Sequence, residues 1–310
     1  MPEPIDYVGV DIATEQLDYC VSEQKEGRVA NAPEGRKQML GLVQTLPHPR
    51  VICEASGGYE KLIVAELLAA GIEVCVVQPG RVRDFAKAEG LFAKTDKIDA
   101  RLLRRFGQKM NLRLAEPVST ACAVLRELLE HRRQLTTQTV EVNNRLVLAG
   151  PTLKKLLNRQ LAFLTDQIAV VEKMIREHID SDPGMKDKMQ RLQQVKGVGP
   201  VLAETLLAYV PELGQIESSE LSALIGVAPH PKDSGKYKAP RHIRAGRDQV
   251  RHVLYMAAVA AARHNPILCG FYQRLKAHGK PSLVCLVAVM RKLLCLLNRL
   301  IQDPNFALAN

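Results

Sequence analysis

Tryptophan is absent from this 310-residue chain, and aromatic residues make up only 4% of it. Base stacking on aromatic side chains therefore does not dominate whatever recognition the chain performs. No Cys-x-x-Cys pair occurs among the seven cysteines at 20, 53, 75, 122, 269, 285 and 295, and most of them lie inside apolar runs. That pattern argues against a zinc site or a disulfide framework and for reduced core residues. The opening Met-Pro-Glu-Pro-Ile-Asp lacks the basic and apolar stretches of a secretory leader, so a cytoplasmic protein is expected. Long hydrophobic runs are missing too: the most apolar late segment, Leu283 to Leu300, is broken by Arg291, Lys292 and Arg299, which predicts a buried or amphipathic helix and no membrane partner. Acidic residues are outnumbered, 33 against 43 Lys and Arg, for a formal charge of +10. The surplus points to a polyanionic partner.

Four of the acids that are present stand where a divalent-metal nuclease would need them. Asp11 ends the apolar run Tyr7 to Val10, and Glu54 ends a second from Val51 to Cys53, so both carboxylates can project from the ends of adjacent strands. Asp96 and Asp99 are three apart at the start of a helical pattern through Ile98, Leu102, Leu103 and Phe106, which sets both on one helix face. Two strand ends and one helix face can converge on a pair of Mg²⁺ ions, the arrangement that drives in-line displacement at phosphorus. Taken singly, each acid also reads as a helix cap or a solvated loop charge, Asp96 above all.

Residues 5 to about 110 alternate short strand-like and helical runs. Strands are predicted at 7–12, 17–22, 28–31, 51–54 and 72–78, with helices at 34–46 and 59–70 and a last one after Asp96. The order β-β-β-α-β-α-β-α fits a ribonuclease-H-like sheet whose central strand carries the first acid. From about 117 to 180 strand patterns vanish and long helical stretches appear, punctuated by Gly150-Pro151; they would pack antiparallel or form a dimerising coiled coil. Their apolar spacing is irregular, with Leu125, Leu128, Leu129 and Leu135 followed by a threonine-rich turn. Arg126, Arg132, Arg133 and Arg145 could face nucleic acid or solvent. Asp182-Pro183-Gly184 reads as a linker into a second compact region. The expected division is therefore residues 1–112, 113–182 and 183–310.

Two features of the last region carry chemistry. Lys196-Gly197-Val198-Gly199-Pro200 lies between helical runs and resembles a helix-hairpin-helix, in which Gly197 and Gly199 would let backbone amides approach a phosphate; pure packing is the equal alternative. The stretch from Pro231 to Arg251 is the most basic, and its Lys232, Lys236, Lys238, Arg241, Arg244, Arg247 and Arg251 are expected, with Lys196, to contact nucleic acid. Within it Ser234 precedes Gly235. A serine so placed is commonly a turn residue, yet surrounding cations, a metal or a base would make it a nucleophile.

Val-Gly-Val-Asp at 8–11, Glu-Ala-Ser-Gly-Gly-Tyr at 54–59, Lys-Thr-Asp-Lys-Ile-Asp-Ala at 94–100, Val-Lys-Gly-Val-Gly-Pro at 195–200, and Ile-Gly-Val-Ala-Pro with Asp-Ser-Gly at 225–235 together resemble the DEDD-type transposases of insertion-sequence family 110, relatives of the Piv DNA invertases. The resemblance spans nearly the whole chain with its motifs in order. It implies an α/β N-terminal RuvC-like domain binding Mg²⁺, or Mn²⁺ in its place, through Asp11, Glu54, Asp96 and Asp99. A helical coiled-coil segment and a mainly α C-terminal transposase domain with Ser234 as nucleophile would follow. It further implies a homodimer or homotetramer with composite active sites, and donor and target double-stranded DNA chosen by pairing with a noncoding bridge RNA. The proline-rich approach to Ser234, Pro229-His230-Pro231-Lys232-Asp233, and the basic tract at 244–247 depart from the family pattern. Ser282 is a remote substitute, and His230 and His242 flank the serine as proton carriers or as surface residues.

The sequence thus leads to a DNA recombinase that joins strands through a serine. Two other functions fit the same residues: a Holliday-junction resolvase or ribonuclease-H-like nuclease using water, and a non-catalytic nucleic-acid-binding protein.

Overall fold

The computed structural model describes residues 4–91, 96–230, 233–234, 237–238, 241–306 and 308. They form two compact units, residues 1–118 and 119–310.

In the first unit β1 (Asp6–Ile12), β2 (Gln16–Cys20) and β3 (Glu26–Ala30) make the expected antiparallel meander. β4 (Pro49–Glu54) lies parallel to β1, and β5 (Glu73–Val77) parallel to β4, giving the order β3-β2-β1-β4-β5. Parallel strands need crossovers, supplied by α1 (Pro33–Gln44) and α2 (Glu60–Ala69). Alternation along the strands sends Val8, Val10, Ile12, Val51 and Cys53 to one face, where Met39 and Val43 of α1 and Ile63 and Leu67 of α2 cover them. Ile52, Cys75 and Val77 point the other way, onto Val82 of α3 (Pro79–Ala88) and Leu102, Leu103 and Phe106 of α4 (Asp96–Lys109). Both faces of the parallel half are therefore buried, as its near-continuous apolar strands require.

Helix α4 lies on β1 at backbone contact. A Cβ on Gly9 would sit 2.0 Å from the Ala100 carbonyl oxygen, and one on Gly107 would sit 2.6 Å from Ile52 Cγ1 and 2.9 Å from Tyr7 Cδ1. Glycine is the residue that permits such an approach in a strand. The two contacts also set direction: Ala100 is over Gly9 and Gly107 is over Tyr7, so α4 runs antiparallel to β1 and its N-terminus lies toward the strand's carboxyl end.

The second unit opens on α5 (Thr120–Leu148) and α6 (Pro151–Ser181), an antiparallel hairpin turned at Ala149-Gly150. His178 near the end of α6 meets the Ala121 carbonyl at the start of α5, 2.8 Å away. The irregular spacing expected for α5 resolves into a regular one. Leu125, Leu128, Arg132, Leu135, Thr139, Val142 and Leu146 alternate steps of three and four, against Leu157, Leu161, Leu164, Ile168, Val171 and Ile175 of α6. Two seam positions are polar, which hid the repeat. Thr139 donates to the Leu135 carbonyl at 2.9 Å, and Thr136 and Thr137 bond back one turn in the same way, so the expected threonine-rich turn is continuous helix.

Asp182 is a helix corner and not a linker: its carboxylate accepts from the Gly184 and Met185 amides at 2.9 and 3.0 Å, capping α7 (Pro183–Gln193) directly after α6. The hairpin shares its core with Leu207 and Ala208 of α8 (Pro200–Tyr209), so the helical segment belongs to the second unit. α9 (Ser218–Ile225), α10 (Asp248–His264), α11 (Pro266–Ala277) and α12 (Ser282–Gln302) complete it, with the short ribbon β6 (Asp233–Ser234) and β7 (Tyr237–Lys238) between α9 and α10. The apolar segment Leu283 to Leu300 is α12, a core helix that buries Val289, Leu293, Leu297 and Leu300. Its buried Asn298 accepts from the Gly214 amide at 2.7 Å and donates to the Ile216 carbonyl at 2.9 Å. Among the described residues no helix is long and apolar enough to cross a membrane.

Gly9→Ala should lower the stability of the full chain by about 2 kcal/mol or more, because the added methyl meets backbone that only a shift of α4 can clear. A urea midpoint unchanged from the parent would show that α4 does not depend on this contact.

Candidate active site

Asp11 and Glu54 come together through sheet register. The last parallel pair between β1 and β4 is Val10 with Cys53, so the two acids are the next residues on both strands, at the carboxyl edge of the sheet. Gly9 pairs with Ile52 two residues earlier, which puts both acids on the α4 face. The antiparallel course of α4 then carries its first turn to the same edge. That turn begins at Asp96, and Asp99 within it is half-buried, as are Asp11 and Glu54. Two strand ends and one helix N-terminus thus meet at one end of one face.

The donor set is all carboxylate oxygen, with no thiolate or imidazole, which suits a hard cation such as Mg²⁺. Among the described residues no three His, Cys, Asp or Glu side chains stand close enough to form a metal cage. The side chain of Asp96 lies outside the described part.

Sequence reasoning missed Glu60. Its carboxylate accepts from the Gly58 amide at 2.8 Å, the Ser56 hydroxyl at 2.9 Å and the Ser56 amide at 3.1 Å, folding the Ala55–Tyr59 loop that follows Glu54 back onto the start of α2. Burial by itself would push this carboxyl up; hydrogen bonds from its own amide, from Gly58 and from Ser56 outweigh that and hold it below the usual value of 4.5. The pattern Ser-Gly-Gly-Tyr-Glu, with an acid in the first helical turn after a polar loop, is the trace of this in the sequence.

Ser234 lies on the β6–β7 ribbon, paired with Tyr237, while Asp233 pairs with Lys238. His230 and His242 bridge the base of the ribbon, the His230 amide donating to the His242 carbonyl at 2.9 Å. Both histidines are exposed. The side chains of Ser234 and Lys238 lie outside the described part, as do residues Lys232 and Lys236. Arg241 and Arg244 are exposed beside the ribbon. Ser282, the alternative serine, begins α12 and accepts from Lys276 Nζ at 3.0 Å.

Other cations are committed elsewhere. Arg247, expected among the nucleic-acid contacts, instead donates two 2.7 Å bonds to Glu212 and a third to the Tyr209 carbonyl, and the Glu212 side chain is only 7% exposed. Arg251 likewise turns to the Ala245 carbonyl and Asp248. On α5, Arg132 pairs with buried Glu204 at 2.7 Å, and Arg126 donates to the Ala208 carbonyl at 2.6 Å while lying over the Tyr209 ring. Arg126, Arg132 and Arg247 satisfy buried or half-buried acceptors first, while the partners of Arg251 are exposed. In the 196–200 turn, Gly197 has a φ of 102° and its α-carbon abuts α10, where a Cβ would meet Ala261 Cα at 2.7 Å. That contact packs the turn against α10. Gly199 caps α8 in open space, and Lys196 is exposed.

Comparison with known proteins matches two stretches of the chain to transposase families. Residues 8–149 match the model of the DEDD transposases of IS110, and residues 189–273 that of the IS116/IS110/IS902 transposases. The pilin gene-inverting protein of Moraxella bovis is 26% identical over 299 residues, covering 93% of both chains. The transposase of insertion sequence element IS1111A from Coxiella burnetii is 23% identical over 292 residues, covering 84% of this chain and 79% of its own.

Two outcomes follow from the geometry. Arg247→Ala should cost about 3–5 kcal/mol by stranding the Glu212 carboxylate, whereas Arg241→Ala should stay within about 0.5 kcal/mol; thermal unfolding of both variants distinguishes a structural arginine from a surface one. Because the Glu60 carboxyl is lowered on folding, its contribution is complete above the ordinary glutamate value and is lost as pH falls through the folded one. Melting temperatures between pH 3 and 7 should fall less steeply on the acid side for Glu60→Gln than for the parent, and parallel curves would remove Glu60 from the loop's support.

Proposed function

Because the chain belongs to the IS110 family of transposases, enzymes that recombine DNA, we propose that it cuts and rejoins double-stranded DNA with the acids of its first unit and Ser234 of its second. The observation that carries this reading is the meeting of Asp11, Glu54 and the first turn of α4 at one edge of one sheet face. A RuvC-like assignment of the first unit rests on the same strand order and acid placement.

Asp11, Glu54, Asp96 and Asp99 would hold Mg²⁺, which when bound neutralises charge on the scissile phosphate and lowers the pKa of a hydroxyl at it. The carboxylates would present that cation from a rigid platform, since two of them are fixed by sheet register and the others by a helix at backbone contact. Glu60 holds the loop after Glu54 in place. At Ser234 the Oγ–P bond forms as the bond from phosphorus to the leaving strand's oxygen breaks, and the serine's proton ends on that leaving hydroxyl. The ester energy is retained, so a hydroxyl from a second strand reverses the step without a nucleotide cofactor. The exposed Arg241 and Arg244 beside the ribbon, with Lys196, fit backbone phosphates. The family resemblance extends the reading to a dimer or tetramer whose composite sites combine acids and serine from different protomers, and to target choice by a bridge RNA, acting in the cytoplasm at the nucleoid.

The deciding experiment incubates the purified chain with Mg²⁺, the element's end DNA and RNA transcribed from its noncoding flank, and resolves the products on a denaturing gel. A protein-linked strand is expected, lost in Ser234→Ala and reduced at least about 100-fold in Asp11→Asn. Cleavage without a linked strand would favour a water-using resolvase, and binding without cleavage a non-catalytic role.

A further inference from the structure

Helix α12 buries one face in the core of the second unit and lines a cleft with another. Lys292 and Arg299 stand two turns apart on that second face, with Cys295 and Leu296 between them. They form one wall of a cavity of about 630 Å³. The other wall comes from Val195 and Lys196, in the turn before α8, and from Ile267 and Leu268 at the start of α11. Asn265 staples these two pieces together: its side chain donates to the Lys196 carbonyl at 3.2 Å and accepts from the Leu268 amide at 3.2 Å. After α12 the chain turns back at Asp303, whose carbonyl accepts from Arg191 at 2.8 Å and from the Phe306 amide at 3.1 Å, and this brings Phe306 and Leu308 to the cavity.

The lining is apolar in body and of one sign in charge. Val195 and Leu268 are buried, Leu296, Phe306 and Leu308 are half-buried, and Ile267 stands 48% exposed at the edge. Lys196, Lys292 and Arg299 are exposed, and no carboxylate is among the described residues that line the cavity. Nor does an acid pair with either α12 cation among the described residues. Arg299 Cζ lies 4.8 Å from the centre of the Phe306 ring, and Lys292 Nζ 4.6 Å from that of Phe271. An aromatic face attracts a cation without neutralising it, so both keep their charge for an anion. Arg132 and Arg247 differ in this respect, since buried carboxylates hold them. We propose that the cleft binds a small amphiphilic anion, an aromatic or acyl body carrying one carboxylate, sulfonate or phosphate group. The volume is that of a site for a drug-sized molecule, and such sites pair a mainly apolar lining with a few polar groups that fix orientation. The apolar residues cover the body, and the three cations take the head through charge-assisted bonds. A neutral apolar molecule forgoes those bonds, and a bare inorganic anion leaves the apolar wall wet, so the lining as a whole selects the combination.

The test is a fluorescence titration of the full chain, without nucleic acid, using 1-anilinonaphthalene-8-sulfonate and N-phenyl-1-naphthylamine, the same skeleton without the sulfonate. Apolar surface elsewhere on the chain binds the two probes alike, so the difference between them reports the cleft. The sulfonate should bind at least about tenfold more tightly than the neutral amine, as expected for hydrogen bonds to a charged group. Lys292→Gln combined with Arg299→Gln should abolish that preference while leaving the neutral probe's affinity and the melting temperature unchanged. Ile267→Asp, which sets a like charge at the edge of the cleft, should weaken the sulfonate at least about tenfold as well. Equal affinity for the two probes, sulfonate binding indifferent to these variants, or its displacement by inorganic phosphate alone would overturn the proposal. None of the substituted residues belongs to the acidic site or the serine ribbon, so the result stands apart from the strand-transfer assay.

Discussion

The contact of α4 with β1 through a bare glycine backbone is the constraint on which the acidic site depends. Two carboxylates at the ends of neighbouring parallel strands follow from register, but a third element must bring its own acids to the same edge. With Gly9 under Ala100 and Gly107 over Ile52 and Tyr7, α4 has one depth and one direction on the sheet. Its first turn, with Asp96 and Asp99, then falls at the carboxyl edge because the helix runs against the strand. Any side chain at Gly9 would lift the helix and with it the acids.

In the second unit the corresponding constraint is the neutralisation of buried carboxylates. Glu204 and Glu212 are nearly inaccessible, and Arg132 and Arg247 reach them from α5 and from the start of α10. Arg126 adds a bond to the carbonyl end of α8. Some of the chain's arginines are thus internal, docking the long helical hairpin and the start of α10 onto α8 and the turn after it. Of the cations expected to contact nucleic acid, the described ones left exposed are Lys196, Arg241 and Arg244.

The legible parts of this protein were those governed by local pattern. Alternating apolar strands and Gly71 after α2 carry the order of the five strands with α1, α2 and α4, but α3 goes unpredicted between the strand at 72–78 and the helix after Asp96, because Pro79 stops a strand as readily as it opens a helix. The acids at strand ends could be recognised because an apolar run terminating in a carboxylate has few explanations. The heptad of α5 was obscured because Arg132 and Thr139 occupy seam positions, and each is tolerated only through a partner distant in sequence or one turn back. Arg247 was misread for the same reason: nothing nearby in the chain reveals that Glu212 waits for it. Asp182 looked like a linker because Asp-Pro-Gly is turn chemistry, and the same chemistry caps a helix.

By itself the sequence determined most strands and helices of the first unit and the family of the chain, and it singled out four acids by pattern, since these depend on local periodicity and residue chemistry. Tertiary structure alone decided which arginines are consumed inside, that Glu60 organises the loop beside Glu54, and that α4 approaches β1 closely enough to bring its first turn to the acids. Those outcomes depend on partners far apart along the chain, whose meeting is set by burial and by the steric space left at particular glycines.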